Sequence, residues 1–268
     1  MKQTTGKNRN TIDKFYTNPS IVEKYIDKFQ PYLEDDDLII EPSAGSGVWT
    51  SPLHMYNLIA FDIQPEGENI QQMDFLQVDL NAFQSNLHFI GNPPFGRQSS
   101  LARKFIKHIT SCDRTKTIGF ILPKSFKKDS YQKTFPPNFH LVYEDDVEKD
   151  AFLANGKPYD VPCVFQIWIK RDYEREIPVK LEPNGFKFVK KGENPDYSLR
   201  RVGVYAGTIS KDIEDKSEQS HYFIKVEKNS DLFVVKYQYI IWEFNNTVGP
   251  RSINKQEFIR EINKLVSL

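Results

Sequence analysis

LIIEPSAGSG, residues 38–47, sets a short apolar run directly against a turn of small residues. Such a run reads as a strand buried on both faces, the habit of strands in parallel sheets. Gly45 and Gly47 follow it at once. Without a Cβ they admit left-handed backbone and let a ligand approach the main chain, near the positive end of the helix expected next.

The spacing limits what that ligand is. Counting from Gly45, the third position of a G-x-G-x-x-G fingerprint falls on Thr50, so a nicotinamide or flavin site is disfavoured. No Gly-Lys-Ser/Thr follows, which disfavours a phosphate loop. Glu41 closes the strand ahead of the glycines, where a carboxylate suits a cationic ligand better than a pyrophosphate.

Working outward, Asn18 and Pro19 cap a helix over 18–33 whose Ile21, Val22, Tyr25, Ile26 and Phe29 share one face. LIAFDI (58–63), a weak run near 70–73, LHFIG (87–91) and TIGFIL (117–122) read as further strands. Leu101, Phe105, Ile106 and Ile109 mark a helix. HLVYE (140–144) and VFQIWI (164–169) read as an antiparallel pair at one edge. The expected fold is α/β, a doubly wound, mostly parallel, seven-stranded sheet. After about residue 175 the texture turns β-rich, with only 255–266 helical, so a smaller β-rich C-terminal domain is expected. The expected divisions are a flexible tail (1–14), a catalytic domain (15–172) and a second domain (173–268).

Two more acids sit at strand ends. Asp62 closes the second strand, where ribose hydroxyls are held in nucleotide-binding sheets. Asp74 follows the third, placed to accept from an adenine amino group, with Phe75 as a wall. Each acid alone reads as a loop carboxylate. Together with the glycine turn they outline an adenosyl group without phosphates, which fits S-adenosylmethionine.

Asn92-Pro93-Pro94-Phe95 ends the fourth strand. The lone pair of an exocyclic amine on a base is tied up in the ring. If the Asn92 side-chain oxygen and the Pro93 carbonyl accept both amine hydrogens, the lone pair is directed outward, and positioning replaces a tuned general base. Phe95 can stack on the base, which must leave its helix to enter.

Net charge is zero, but its distribution is uneven. Residues 34–95 hold ten acids and no Lys or Arg, whereas 97–133 hold ten bases against two acids. The basic stretch is a candidate polyanion surface. Cys112 and Cys163 lack metal spacing and the five histidines form no H-x-x-x-H pair, so no metal site and a reduced, intracellular setting are expected. No run approaches the length of a membrane span, and the N-terminus has no apolar core of a secretory signal.

These motifs resemble those of S-adenosylmethionine-dependent amino-methyltransferases acting on adenine N6, a class I, Rossmann-like group in which the cofactor motifs precede the catalytic one. FYTNPSIVEKY (15–25) resembles their N-terminal cofactor motif, although Asn18 separates Thr17 from Pro19. EPSAGSG, FDIQP and MDFL are similar to their cofactor turns, NPPF to their catalytic tetrapeptide, ILPKSF (121–126) to a strand-five motif and 151–169 to a late hairpin. The resemblance spans about residues 12–170. It implies cofactor contacts from Phe15, Tyr16, Thr17, Glu41, Pro42, Ser43, Ala44, Gly45, Gly47, Asp62, Ile63, Asp74, Phe75 and Asn92. It implies a target adenine held by Asn92, Pro93, Pro94 and Phe95.

Candidate nucleic-acid contacts are Arg97, Lys124, Lys127, Lys128, Arg200 and Arg201, with Lys187, Lys190, Lys191 and Arg251 also in the second domain, whose position is that of a target-recognition domain. DNA is the expected substrate, on the motif order and the trailing domain; RNA is the alternative. Glutamine methylation on a protein is disfavoured because such relatives usually carry Tyr where Phe95 stands. A non-catalytic relative would tend to lose the glycine turn or the Asn-Pro-Pro element, and both are present.

Overall fold

A computed structural model describes residues 16–149, 151–154, 157–227, 237–242 and 244–266. The expected tail and Phe15 lie outside these. The chain divides into two compact units, Met1–Ile177 and Pro178–Leu268.

The first unit contains β1 (Tyr16–Thr17), α1 (Pro19–Phe29), β2 (Leu38–Glu41), β3 (Leu58–Asp62), β4 (Ile70–Gln72), β5 (Leu87–Gly91), α2 (Ser100–Thr110), β6 (Thr115–Pro123), α3 (Asp129–Gln132), β7 (Phe139–Asp146), β8 (Phe152–Ala154), β9 (Lys157–Tyr159) and β10 (Cys163–Lys170). Seven strands form one sheet in the order β4-β3-β2-β5-β6-β10-β7. The first five are parallel neighbours. β10 runs antiparallel to both β6 and β7. This is a doubly wound, mostly parallel, Rossmann-like sheet, as expected. The strand order reverses between β2 and β5, and in such sheets ligands bind beyond the carboxyl ends at that point.

Strand parity builds both faces of the core. Leu38, Ile40, Phe89, Phe120 and Leu122 pack against Phe105, Ile106 and Ile109 of α2. Ile39, Ile90 and Ile121 pack on the other face, against Val22, Tyr25 and Phe29 of α1. In α1, Asn18 caps the N-terminus by accepting the Ser20 N–H at 3.2 Å, and Pro19 fills the first helical position.

Two features depart from the expectation. No α-helix joins β2 to β3; the glycine turn runs through further turns into a 3-10 turn, Ser51–Leu53. The turn is therefore not a helix terminus, and its Ala44 and Gly47 N–H groups are held by the Phe61 and Ala44 carbonyls. The two late strands do meet at the sheet edge, but between them the chain leaves to form β8 and β9, which take up β1 in a separate three-stranded sheet. That excursion anchors Tyr16 and Thr17 opposite Leu153 and Phe152.

The second unit contains β11 (Phe186–Val189), β12 (Tyr197–Arg200), β13 (Ile209–Ser210), β14 (His221–Val226) and α4 (Lys255–Val266). Its antiparallel sheet has the order β11-β14-β12-β13. Phe186, Leu199 and Ile224 of the sheet pack with Phe258, Ile259 and Ile262 of α4. Among the described residues no helix is long and apolar enough to cross a membrane.

Candidate active site

A cavity of about 290 Å³ opens in the first unit, at the lower end of small-molecule sites. Its wall brings together Tyr16 and Thr17 of β1, Pro42, Ser43, Ala44 and Gly45 after β2, and Asp62 and Ile63 at the end of β3. Asp74 and Phe75 follow β4, and Asn92, Pro93, Pro94 and Phe95 follow β5. Among the described residues the wall contains no Lys, Arg or His.

The glycine turn is left-handed at Gly45 (φ +54°) and Gly47 (φ +82°), the region that favours glycine. The Gly45 N–H donates to Asp62 Oδ2 at 2.7 Å, and the Gln64 N–H to Asp62 Oδ1 at 2.7 Å. One carboxylate thus fixes the turns after β2 and β3, and each of its oxygens keeps a further acceptor site for a ligand hydroxyl. The Gly45 carbonyl accepts from the Glu66 N–H at 2.9 Å, drawing the loop after β3 across the turn. The Tyr16 hydroxyl donates to Glu66 Oε2 at 2.5 Å from the other side. That bond to a carboxylate pushes the Tyr16 pKa up to about 12.

Two expected contacts stand outside the wall, Glu41 and Gly47. Glu41 is fully buried and does not line the cavity; it accepts a hydrogen bond from the Thr50 hydroxyl. Burial pushes its pKa up to about 8. Gly47 also lies outside the wall. Phe75 touches the cavity, but its ring is buried among Phe61, Phe89 and Phe105. Exposed apolar surface beside Asp62 and Asp74 comes instead from Ile63 and Met73. Asp74 caps the 3-10 turn Phe75–Gln77, accepting the Leu76 N–H at 3.0 Å.

The Asn-Pro-Pro-Phe turn is tied at both ends. The Ser43 hydroxyl donates to the Asn92 carbonyl at 3.2 Å, and the Phe95 carbonyl accepts from the Leu101 N–H at 3.1 Å as α2 begins. Gly96, Gln98 and Ser99 then all take positive φ, so the backbone is strained directly behind the tetrapeptide. The Asn92 side-chain oxygen is buried at the cavity wall.

Of the candidate nucleic-acid contacts, Arg97 is exposed. Lys124 and Lys127 pair with Asp146 of β7 at 2.9 and 2.6 Å, so the basic stretch is partly neutralised in space. The Lys128 N–H donates to the Ser125 carbonyl at 3.0 Å. Arg200 Nε donates to the Val202 carbonyl, and the Arg201 guanidinium donates to the Gln219 carbonyl and lies over Tyr222. Residues the sequence reading missed at the wall include Met73, Gln64, Trp49, Leu101 and Phe105. Leu101 and Phe105 carried a signal, since they occupy successive turns of the helix that follows the tetrapeptide. Among the described residues no His, Cys, Asp and Glu cluster could hold a metal.

No family model matches the chain. Protein ENHANCED DOWNY MILDEW 2 of Arabidopsis thaliana is 24% identical over 236 residues, covering 75% of this chain and 18% of that protein. The chain thus spans less than a fifth of the length of the curated relative it matches. The solved 23S rRNA methyltransferase ErmE is similar at a TM-score of 0.43, with 17% identity over 63% of this chain and 70% of that one. The tRNA m1G37 methyltransferase of M. jannaschii is similar at 0.41, with 17% identity over 60% of this chain and 52% of that one. An rRNA methylase from Streptococcus thermophilus is similar at 0.38, with 16% identity over 55% of this chain and 94% of that one. All three scores are below 0.5, and no substrate is read from them.

Proposed function

We propose that the chain is an S-adenosylmethionine-dependent methyltransferase acting on the N6 amine of adenine in nucleic acid. One observation carries the reading: the glycine turn with Asp62 and the Asn92–Phe95 turn surround a single cavity and are joined by the Ser43–Asn92 hydrogen bond. A wall without Lys, Arg or His among the described residues fits a ligand without phosphates. Asp62 is placed for ribose hydroxyls, and Ile63 and Met73 for the faces of an adenine ring.

The cofactor, when bound, supplies an electrophilic methyl group on its sulfonium. The chain's part is positional. The Asn92 side-chain oxygen and the Pro93 carbonyl accept the two amine hydrogens, and Phe95 stacks on the base. The amine nitrogen takes the methyl group and afterwards releases one proton to solvent, so no residue needs to act as a strong base.

The choice of DNA rested on motif order, and nothing in the cavity distinguishes one sugar from the other. RNA therefore enters the test on equal terms. The test is incubation with methyl-labelled cofactor and matched RNA, single-stranded DNA and duplex DNA, followed by nucleoside analysis. Label on adenine N6 in one polymer is expected; label on no nucleoside contradicts the reading.

A further inference from the structure

In the second unit, two segments meet at Gly207. The first is the turn Gly203–Gly207, held by Ala206 N–H to the Gly203 carbonyl at 3.0 Å and by Gly207 N–H to the Arg200 carbonyl at 2.8 Å. The second is the stretch 237–242. Its Tyr237 hydroxyl donates to the Gly207 carbonyl, and its Trp242 ring lies against Gly207 so closely that a Cβ there would sit 2.6 Å from Trp242 Cδ1.

Both segments turn large apolar side chains outward: Val204 is 77% exposed, Tyr205 72%, Tyr239 69% and Ile241 86%. Scattered singly, such residues are ordinary. Here four of them sit on two interlocked, internally bonded segments, so the rings are displayed on a fixed backbone rather than left over.

The chain around the first turn is basic, while Glu257 and Glu261 stand with Arg260 and Lys264 in the hollow that Ile241 borders. Residues 197–211 contain Arg200, Arg201 and Lys211 and no acid. The Arg251 carbonyl accepts the Gly203 N–H at 2.9 Å, so its backbone adjoins the turn, and its guanidinium lies over the Phe244 ring at 5.1 Å. A Cβ on Gly203 would lie 3.5 Å from Arg200 Nη2, so the Arg200 guanidinium flanks the same turn. Exposed aromatic rings among cations are the elements that bind unpaired nucleic-acid strands: bases stack on the rings and phosphates meet the charges.

We propose that this patch is a stacking platform for single-stranded nucleic acid, with Tyr205 and Tyr239 taking bases and Arg200 and Arg251 taking phosphates. It deepens the proposed function by assigning a strand-holding role to the second unit, and rests on that reading for the class of ligand alone.

The test uses the full chain without cofactor and fluorescein-labelled RNA and DNA of one unstructured sequence, about 20 nucleotides long to exceed a single patch. Anisotropy titrations compare the unaltered protein with Tyr205→Ala, Tyr239→Ala, their double variant, the two Tyr→Phe variants and Arg251→Ala. Each Tyr→Ala change is expected to weaken strand binding about tenfold, while Tyr→Phe keeps it within about twofold. Arg251→Ala should lower the salt dependence by about one phosphate contact.

Binding by the double variant within about twofold of the unaltered protein overturns the proposal, as does no strand binding by the unaltered protein. A switch from dimer to monomer in the double variant, with strand binding unchanged, overturns it in favour of a second copy of this chain. Because the titration needs no methyl transfer, its failure leaves the catalytic reading standing, and failed methyl transfer leaves the platform standing.

Discussion

The Ser43 hydroxyl donates to the Asn92 carbonyl at 3.2 Å, tying the turn that ends β2 to the turn that ends β5. These are the two strands between which the sheet order reverses. The bond sets where Asn92 and Pro93 lie relative to the glycine turn without touching the cofactor acids. Ser43→Ala removes one neutral hydrogen bond, worth about 1 kcal/mol. Methyl transfer is expected to slow about fivefold with cofactor affinity nearly constant. Parallel measurement of kcat and of calorimetric cofactor affinity checks this; a loss confined to affinity contradicts it.

Asp62 has two duties: holding the Gly45 and Gln64 N–H groups, and facing the cavity. Asp62→Ala should weaken cofactor binding by at least about tenfold, since it removes hydrogen bonds to a charged acceptor. Calorimetry with S-adenosylmethionine checks it. Unaltered affinity would mean that ribose is held elsewhere.

Tyr16 reaches from β1 to Glu66 and lies beside Gly45, where a Cβ would come within 3.7 Å of its ring. With its pKa raised to about 12, the hydroxyl remains a donor through the neutral range. Tyr16→Phe is expected to speed cofactor release severalfold while leaving melting temperature close to that of the unaltered protein, as an exposed hydrogen bond contributes little. Stopped-flow dissociation rates beside thermal melts test it, and an unchanged release rate would remove Tyr16 from the cofactor's path.

Glu41 gives a pH signature. Its folded pKa, about 8, lies above the ordinary carboxylate value of 4.5. The folded state therefore favours the protonated form, so stability from this site is full below about pH 4.5 and declines as pH rises toward 8, at about 1.4 kcal/mol per tenfold change in protonation constant. Glu41→Gln keeps the shape without the ionisation. It should unfold at a higher denaturant concentration than the unaltered protein at pH 8.5, with the difference shrinking toward pH 5. A difference independent of pH would mean that Glu41 is ionised in the fold throughout.

Much of the first unit was legible because buried strands are plain in sequence: LII, LIAFDI, LHFIG and TIGFIL are apolar runs that stop at Gly, Pro or an acid. The acids at strand ends were legible for the same reason. The inward turn of Glu41 has a local signal in strand parity. It shares parity with Ile39, which packs on the α1 face, so its side chain points the same way, toward Thr50. Two other features had no local signal. The pairing of Lys124 and Lys127 with Asp146 depends on β7, some twenty residues downstream. After the glycine turn the chain forms only the 3-10 turn Ser51–Leu53, with Trp49 and Leu53 buried on the α1 face, and periodicity over so short a segment does not tell this from a helix.

Asn92 tests the central claim most directly, because it lies on the turn after β5 while Asp62 and Asp74, the acids proposed to hold the cofactor, lie at the end of β3 and after β4. The measurement is N6-methyladenine formed on RNA, single-stranded DNA and duplex DNA by the unaltered protein and by Asn92→Ala, with S-adenosylmethionine affinity determined on the same preparations. The account predicts N6-methyladenine from the unaltered protein, a loss of about a hundredfold or more in Asn92→Ala, as for removal of one preorganised transition-state partner, and cofactor affinity largely unchanged. Near-normal turnover by Asn92→Ala, or methyl label on any atom other than adenine N6, would contradict it.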